Sequence, residues 1–266
     1  MLTKQTMNSR HPSILTPIAA SVALLLTAGA LHSAEPAKAP PRVDPLALGH
    51  LQRMSASLAA AKAFSYKSTS TLEVPARTGQ FLTLFSSANV VLKRPNKLWV
   101  KLTGEEPHFD FLYDGASVAA YAPATQAYSL TKAPPTIDAM LPELERETGI
   151  RFASMPLLFS NPYSVLSRGV SSGIVVGSGL VRGVPCVHLA FKSPGVNWEI
   201  WIESGSRALP RRLATTFTDR ANFPRTLVEF SDWNLRPWIS DSGFVFHPPA
   251  GTHETPFRSV MKSTAR

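Results

Sequence analysis

The sequence has only one cysteine, Cys186, among its 266 residues. A single cysteine excludes an intrachain disulfide and the usual cysteine-rich zinc sites. Because Cys186 lies deep in the chain, it also cannot be the lipid-modified first residue of a mature bacterial lipoprotein. No two histidines have HxH or HExxH spacing, so we expect neither a metal nor a cofactor.

Motifs for catalysis are equally scarce. The segment GASVA at 115–119 lacks the closing glycine of a serine-hydrolase elbow, and the glycine-rich segment 177–183 opens no helix that could hold a phosphate. Cys186 and His188 share one predicted strand face and could act as nucleophile and base, but an isolated strand cysteine is typically a small buried hydrophobe. We predict a protein without enzymatic activity and keep an envelope hydrolase using Cys186 and His188 as an alternative.

Acidic residues are absent from the first 34 residues. This stretch begins with Lys4 and Arg10, and its apolar run over 18–31 is short for a membrane span and ends among small residues. The pattern predicts a signal peptide over 1–34, with an uncleaved anchor helix as the alternative. We expect export to the periplasm and a soluble protein after cleavage. Loss of Lys4 and Arg10 changes the formal net charge from +9 to +7.

The rest of the chain divides by composition. Residues 35–43 (EPAKAPPRV) are expected to form a flexible spacer, residues 44–251 one folded domain, and residues 252–266 a disordered tail. Asp44 followed by Pro45 is typical of a helix start, and the spacing of the leucines that follow predicts an amphipathic helix up to residue 62.

From residue 64 onward the apolar residues alternate with a period of two, and turn residues separate the short runs. A helical insertion is predicted over 136–148 and 156–166. The order of these helices and strands indicates an α+β, mainly β fold. We expect a strongly curved antiparallel sheet of about eleven strands that forms an incomplete β-barrel. The N-terminal helix and the helical insertion, acting as a lid, are expected to close it. We predict strands over 64–74, 81–93, 97–103, 109–114, 117–122, 128–131, 172–180, 184–192, 197–203, 209–218 and 226–234, with a last short run over 244–246.

One face of the sheet is predicted to be apolar and the other polar. A sheet of this size covered by few helices can enclose an apolar hollow, although the same side chains can form an ordinary packed core. The residues expected to line the hollow are Leu98, Val100, Leu102, Phe109, Phe111, Met140, Leu141, Leu144, Leu158, Phe159, Leu189, Phe191, Trp198, Ile200 and Ile202.

Two sets of motifs carry a resemblance to known families. RPNKLWV at 94–100, YDG at 113–115 and YAP at 121–123 resemble the LolA-like carriers that move lipoproteins across the bacterial periplasm. WEIWIE at 198–203 and SDWN at 231–234 resemble, more closely, an uncharacterised family of predicted periplasmic proteins in the same superfamily. The resemblance implies a half-open sheet over a cavity for acyl chains, and it implies that Arg94 holds the lid closed.

These observations together predict a non-catalytic periplasmic carrier or chaperone that binds the acyl chain of a lipid or lipoprotein. We expect a monomer. The positive net charge favours contact with a membrane surface or an envelope protein. We expect no nucleic-acid partner. The alternative is an envelope sensor or protein-interaction module with the same fold.

Overall fold

The computed structural model describes residues 43–105, 108–148 and 154–262. The predicted signal peptide over 1–34 and nearly all of the predicted spacer lie outside the described residues. Within the described part of the chain, no helix has the length and apolar character needed to cross a membrane.

Helix α1 opens the fold as predicted and spans Pro45–Ala60. The Asp44 carboxylate accepts a hydrogen bond from the Leu46 backbone N–H at 2.8 Å, which satisfies one of the free donors at the helix start. The helix buries the face formed by Leu51, Met54 and Leu58, because residues three and four apart lie on one side of a helix.

The sheet has twelve strands, and eleven of them fall within one or two residues of their predicted positions. Its order is β12-β6-β5-β4-β3-β2-β1-β11-β10-β9-β8-β7, and all pairs are antiparallel except β12 with β6. The strands are β1 Ala63–Pro75, β2 Phe81–Lys93, β3 Lys97–Gly104, β4 Phe109–Tyr113, β5 Ser117–Ala122, β6 Ala127–Lys132, β7 Ser172–Val181, β8 Val184–Ser193, β9 Val196–Glu203, β10 Pro210–Phe217, β11 Arg225–Asn234 and β12 His253–Glu254.

The sheet is curved and open, as expected from the sequence. Strand β1 joins its two halves because it pairs with β2 on one side and with β11 on the other. The helical insertion lies in the chain between β6 of the first half and β7 of the second half. The α+β, mainly β fold class and the curved antiparallel architecture are therefore confirmed.

The lid is defined here as residues 137–148 and 154–166, which comprise helix α2 (Ile137–Thr148), a 3₁₀ helix (Met155–Leu158) and helix α3 (Pro162–Leu166). The Thr136 hydroxyl accepts a hydrogen bond from the Ala139 N–H at 3.3 Å at the start of α2. The Asn161 side chain accepts one from the Ser164 N–H at 3.1 Å at the start of α3. Both are the side-chain caps that short helices need to satisfy their first donors.

The C-terminal segment differs from the prediction. Residues 252–266 were expected to be disordered, but β12 lies at His253–Glu254 and helix α4 spans Phe257–Lys262. Helix α4 is anchored by Val260, which is 3% exposed and packs against the small residues Ala120 and Ala122 of β5. The predicted run over 244–246 is not a strand, since a 3₁₀ helix occupies Asp241–Phe244. Residues 263–266 lie outside the described part of the chain.

Candidate functional site

The residues predicted to line a hollow lie on the inner face of both halves of the sheet. In the first half Val100 is paired with Phe111, and in the second half Phe191 is paired with Trp198. Side chains of directly paired residues point to the same face, so the two halves present apolar surfaces toward the helices. The period-two pattern of the sequence identified these faces correctly.

These residues pack against one another in the structure. Thirteen of the fifteen are buried, with exposures between 0% and 6%, while Leu102 and Phe159 are partly buried against the same cluster. Met140 and Leu144 also touch a small recess of about 40 Å³ between α2, β6 and α4. In this closed form the lining residues make up a packed core, and their role in ligand binding stays a prediction.

Arg94 lies at the seam between the sheet and the lid. Its guanidinium donates two hydrogen bonds to lid carbonyls, to Leu158 O at 3.2 Å and to Phe159 O at 2.9 Å. It also lies over the Phe64 ring, 5.7 Å from the ring centroid. The position that the resemblance implied for holding the lid therefore makes direct contact with it.

The electrostatic setting of Arg94 adds to the strength of this contact. Burial lowers the pKa of the Arg94 guanidinium, and the nearby Asp138 carboxylate opposes that shift. Asp138 is itself held within the lid, where it accepts hydrogen bonds from the Ser160 N–H at 2.8 Å and from the Ser160 hydroxyl. A partly desolvated cation bound to carbonyl oxygens interacts more strongly than an exposed one.

Two further contacts tie the lid down, and sequence analysis missed both. The buried Tyr66 hydroxyl donates to the Ser154 hydroxyl at 3.0 Å, and burial raises the pKa of Tyr66 well above its usual value. The Ser55 hydroxyl of α1 accepts from the Tyr163 N–H at 2.9 Å and thereby joins α1 to α3. A serine on the apolar face of α1 was the available signal, because a buried hydroxyl requires a partner.

The inner face of the sheet continues beyond the lid. Along β1 the face that carries Phe64 and Tyr66 extends to Leu72, and along β2 it extends to Leu82, since Phe64 is paired with Leu92 and Leu72 with Leu84. Leu72 is 40% exposed and Leu82 is 44% exposed. We call this uncovered part of the inner face the mouth; it consists of Leu72, Val74, Leu82 and Leu84. The alternation of β1 and β2 could have predicted it.

A separate groove of about 630 Å³ lies on the sheet at β1, β2, β3 and β11. None of the predicted lining residues belongs to it, and most of its side chains are polar residues of the outer face. Short hydroxyl and carboxylate side chains outnumber apolar ones in this groove, unlike the face beneath the lid. It is lined by Thr69, Ser70, Thr71, Phe85, Ser86, Ser87, Thr103, Gly104, Glu105, Leu227 and Glu229.

The candidate catalytic pair does not form. Cys186 is fully buried, and burial raises the pKa of its thiol, which keeps it protonated. The His188 ring stacks on Trp201 at 4.0 Å, and its Nε2 contacts a Glu199 carboxylate oxygen at 2.9 Å. The Cys186 thiol donates to the Val184 carbonyl at 3.4 Å, so the contacts of neither residue support the alternative of a nucleophile and base. Among the described residues no cluster of three histidine, cysteine or acidic side chains could hold a metal ion.

Residues 47–258 match the family of predicted periplasmic proteins DUF2092. The protein belongs to this family. The resemblance predicted from the later sequence motifs is thereby confirmed over nearly the whole described chain. A comparison with curated proteins finds no match.

Several solved structures are similar to this chain at low sequence identity. The Mycobacterium tuberculosis lipoprotein LppX is 14% identical with a TM-score of 0.48, covering 74% of this chain and 100% of LppX. The LolA superfamily protein NE2245 from Nitrosomonas europaea is 10% identical with a TM-score of 0.36, covering 75% and 97%. The Pseudomonas aeruginosa MucA/MucB complex contains a chain that is 14% identical with a TM-score of 0.38, covering 76% and 61%.

Proposed function

We propose that this protein is a non-catalytic periplasmic carrier that shields the acyl chain of a lipid or lipoprotein from water. The observation that carries the proposal is the uncharged inner face, which is apolar beneath the lid and again at the exposed mouth and has no charged side chain at its inward positions on β1 and β2. An acyl chain entering at the mouth would pass the small uncharged side chains of Ser70, Ser86 and Ala88 before it reaches the apolar core.

Loading requires the lid to move, because the lining residues are packed together in the closed form. Few polar contacts hold the lid to the sheet and to α1, and Arg94 makes two of them. Once the lid swings away, residues such as Met140 and Leu144 would leave the sheet and open space between its two halves. The lid then acts as the gate for loading and release.

Burial of an acyl chain supplies enough free energy for binding, and no catalytic residue is needed. Each buried methylene contributes about 0.8 kcal/mol, so a chain of about fifteen methylenes offers about 12 kcal/mol before the costs of ordering the chain and opening the lid. Part of this gain is offset because the core residues must separate to admit the chain.

The proposal is tested by mass spectrometry of organic extracts from gently purified exported protein. We expect a stoichiometric lipid or acylated peptide in the wild-type extract. Leu82→Gln in the mouth should lower its yield, because an amide would replace an apolar contact. Leu130→Gln is the matched control, since Leu130 has the same 44% exposure but is paired with Ala119 on the outer face of the sheet.

Two results would contradict the carrier proposal. Extracts without any lipid, together with a stoichiometric copurifying protein, would favour the sensor or interaction module instead. Equal lipid yields from the Leu82 and Leu130 variants would remove the mouth from the binding site.

A further inference from the structure

Trp238 is the most exposed large apolar residue that the structure describes, at 95% exposure. It lies on segment 235–240, which follows β11 and whose residues alternate between outward and half-buried positions. Arg236 and Trp238 are both exposed, while Pro237 between them is half-buried. An indole held in water by an ordered segment has its apolar surface available for a partner.

The segment crosses one end of the sheet. It leaves β11 after Asn234, which is paired near the start of β1. It reaches Asp241, whose carboxylate contacts the Lys93 ammonium at 2.6 Å at the end of β2. Trp238 therefore projects at the end of the sheet where the turn between β2 and β3 carries Arg94.

Cations are concentrated at this same end. Lys93 lies directly opposite Lys97 across the β2 and β3 pair, and Lys62 precedes the first residue of β1. Like charges directly opposite each other in a sheet cost stability. We call the set Lys62, Lys93, Lys97, Arg236 and Trp238 the basic end.

The acidic groups nearby neutralise only part of this charge. Asp241 contacts Lys93. The Asp114 carboxylate accepts the backbone N–H groups of Ala116 at 2.9 Å and Ser117 at 2.7 Å, and Lys97 donates to the Asp114 backbone carbonyl at 2.5 Å. No described ion pair involves Lys62 or Arg236, which are both exposed.

We propose that the basic end is a docking surface for an anionic lipid bilayer, with Trp238 inserted at the level of the headgroups and Lys62 and Arg236 contacting lipid phosphates. Tryptophan prefers the membrane interface, where its ring is in an apolar layer and its N–H meets polar groups. Basic residues near the surface add electrostatic attraction to anionic lipids. A single projecting indole at an end of the sheet that carries several cations fits a deformable charged surface better than a rigid protein groove.

Docking at this end would place the lid seam at the membrane, because Arg94 follows Lys93 in the chain. The inference does not depend on what the inner face binds. Vesicle binding is measured on the protein without added ligand. The docking proposal can therefore be wrong although the protein is a carrier, and it can be right although the protein is not a carrier.

The test is cosedimentation of the exported protein with vesicles of phosphatidylcholine, with or without about one quarter phosphatidylglycerol. Wild type should bind the anionic vesicles more tightly than the neutral ones, and salt should weaken the binding. Trp238→Ala should lower the affinity by about ten-fold, and Arg236→Gln by about five-fold. Phe223→Ala is the matched control, because Phe223 is an aromatic residue with 59% exposure in the turn between β10 and β11, at the opposite end of the strands.

Equal binding to neutral and anionic vesicles would overturn the proposal, as would no binding to either. An affinity loss in Phe223→Ala as large as that in Trp238→Ala would also overturn it, because the contact would then not be specific to the basic end. Circular dichroism of each variant confirms that the fold is retained, since both aromatic residues are exposed.

Discussion

Arg94 has a long, positively charged side chain and lies where the sheet meets the lid. Its planar guanidinium donates to two successive carbonyls, Leu158 O and Phe159 O. A lysine at this position would offer a single ammonium, which cannot reproduce the fork of parallel donors. The contact also gives these two lid carbonyls a charged hydrogen-bond donor.

Replacing Arg94 should loosen the lid while leaving the sheet folded. Arg94→Leu removes two charge-assisted hydrogen bonds, and we expect thermolysin to cleave within the lid about ten-fold faster. Arg94→Lys should give an intermediate rate. Arg146→Leu is the control, because Arg146 belongs to the lid but its side chain is 71% exposed. Unchanged cleavage and unchanged ligand retention in Arg94→Leu would show that Arg94 does not hold the lid.

Asp110 on β4 is a second residue whose environment predicts a measurable effect. One of its carboxylate oxygens is buried without a hydrogen-bond partner. Burial raises the pKa of Asp110, and the charges of Lys101 and His108 partly oppose this. A raised carboxyl pKa means that the folded state binds the proton more tightly than the unfolded state, so stability falls as pH rises through the window between the two pKa values.

Asp110→Asn should therefore stabilise the protein at neutral pH. The gain should shrink as the pH falls to about 4, where the wild-type carboxyl becomes protonated and resembles the amide. Urea unfolding of both proteins across this range measures the difference. A stability difference that does not change with pH would mean that ionisation of Asp110 is not responsible.

At the scale of elements, the long strands were predictable and the short C-terminal pieces were not. Strands such as β3 and β9 alternate apolar and polar residues, and a period of two located them. Strand β12 has two residues and helix α4 has six, too few for any periodicity. Contacts with distant residues of β5 and β6 decide their structure, and sequence spacing does not encode those contacts.

The lid was likewise predictable in its apolar face but not in its polar contacts. Met140, Leu141 and Leu144 recur at helical spacing and were predicted as its apolar face, and the structure buries all three. The polar contacts from Tyr66 and Ser55 to the lid join residues 88 and 108 positions apart. Pairings across such distances depend on how the sheet curves, which local sequence does not determine.

The C-terminal helix should contribute to stability through Val260. Val260→Ala removes two methyl groups from a site that is 3% exposed, and we expect a loss of about 1.5 kcal/mol in the free energy of unfolding. Val245→Ala removes the same atoms from a site that is 38% exposed and serves as the control. Denaturant unfolding measures both changes, and equal losses would show that α4 is not packed on β5.

At the scale of the whole molecule, the sheet and the lid are stabilised in different ways. The sheet is a continuous hydrogen-bonded array from β12 to β7. The lid consists of short helices held to the rest of the molecule by apolar packing and a small number of polar contacts. A cooperative array and a lightly held cover should open with different free energies, because local opening depends on the contacts that each unit must break.

Hydrogen exchange measured by mass spectrometry should resolve the two units. Without ligand, we expect the amides of α2 and α3 to exchange faster than those of β9 and β11. A bound acylated lipopeptide, added as the probe, should slow exchange in α2, α3 and the mouth, because the chain fills the space from which the lid must otherwise withdraw. A phospholipid headgroup without acyl chains is the control and should change nothing. If the lid exchanged only together with β9 and β11, the molecule would open as a single unit, and gating by the lid would be excluded.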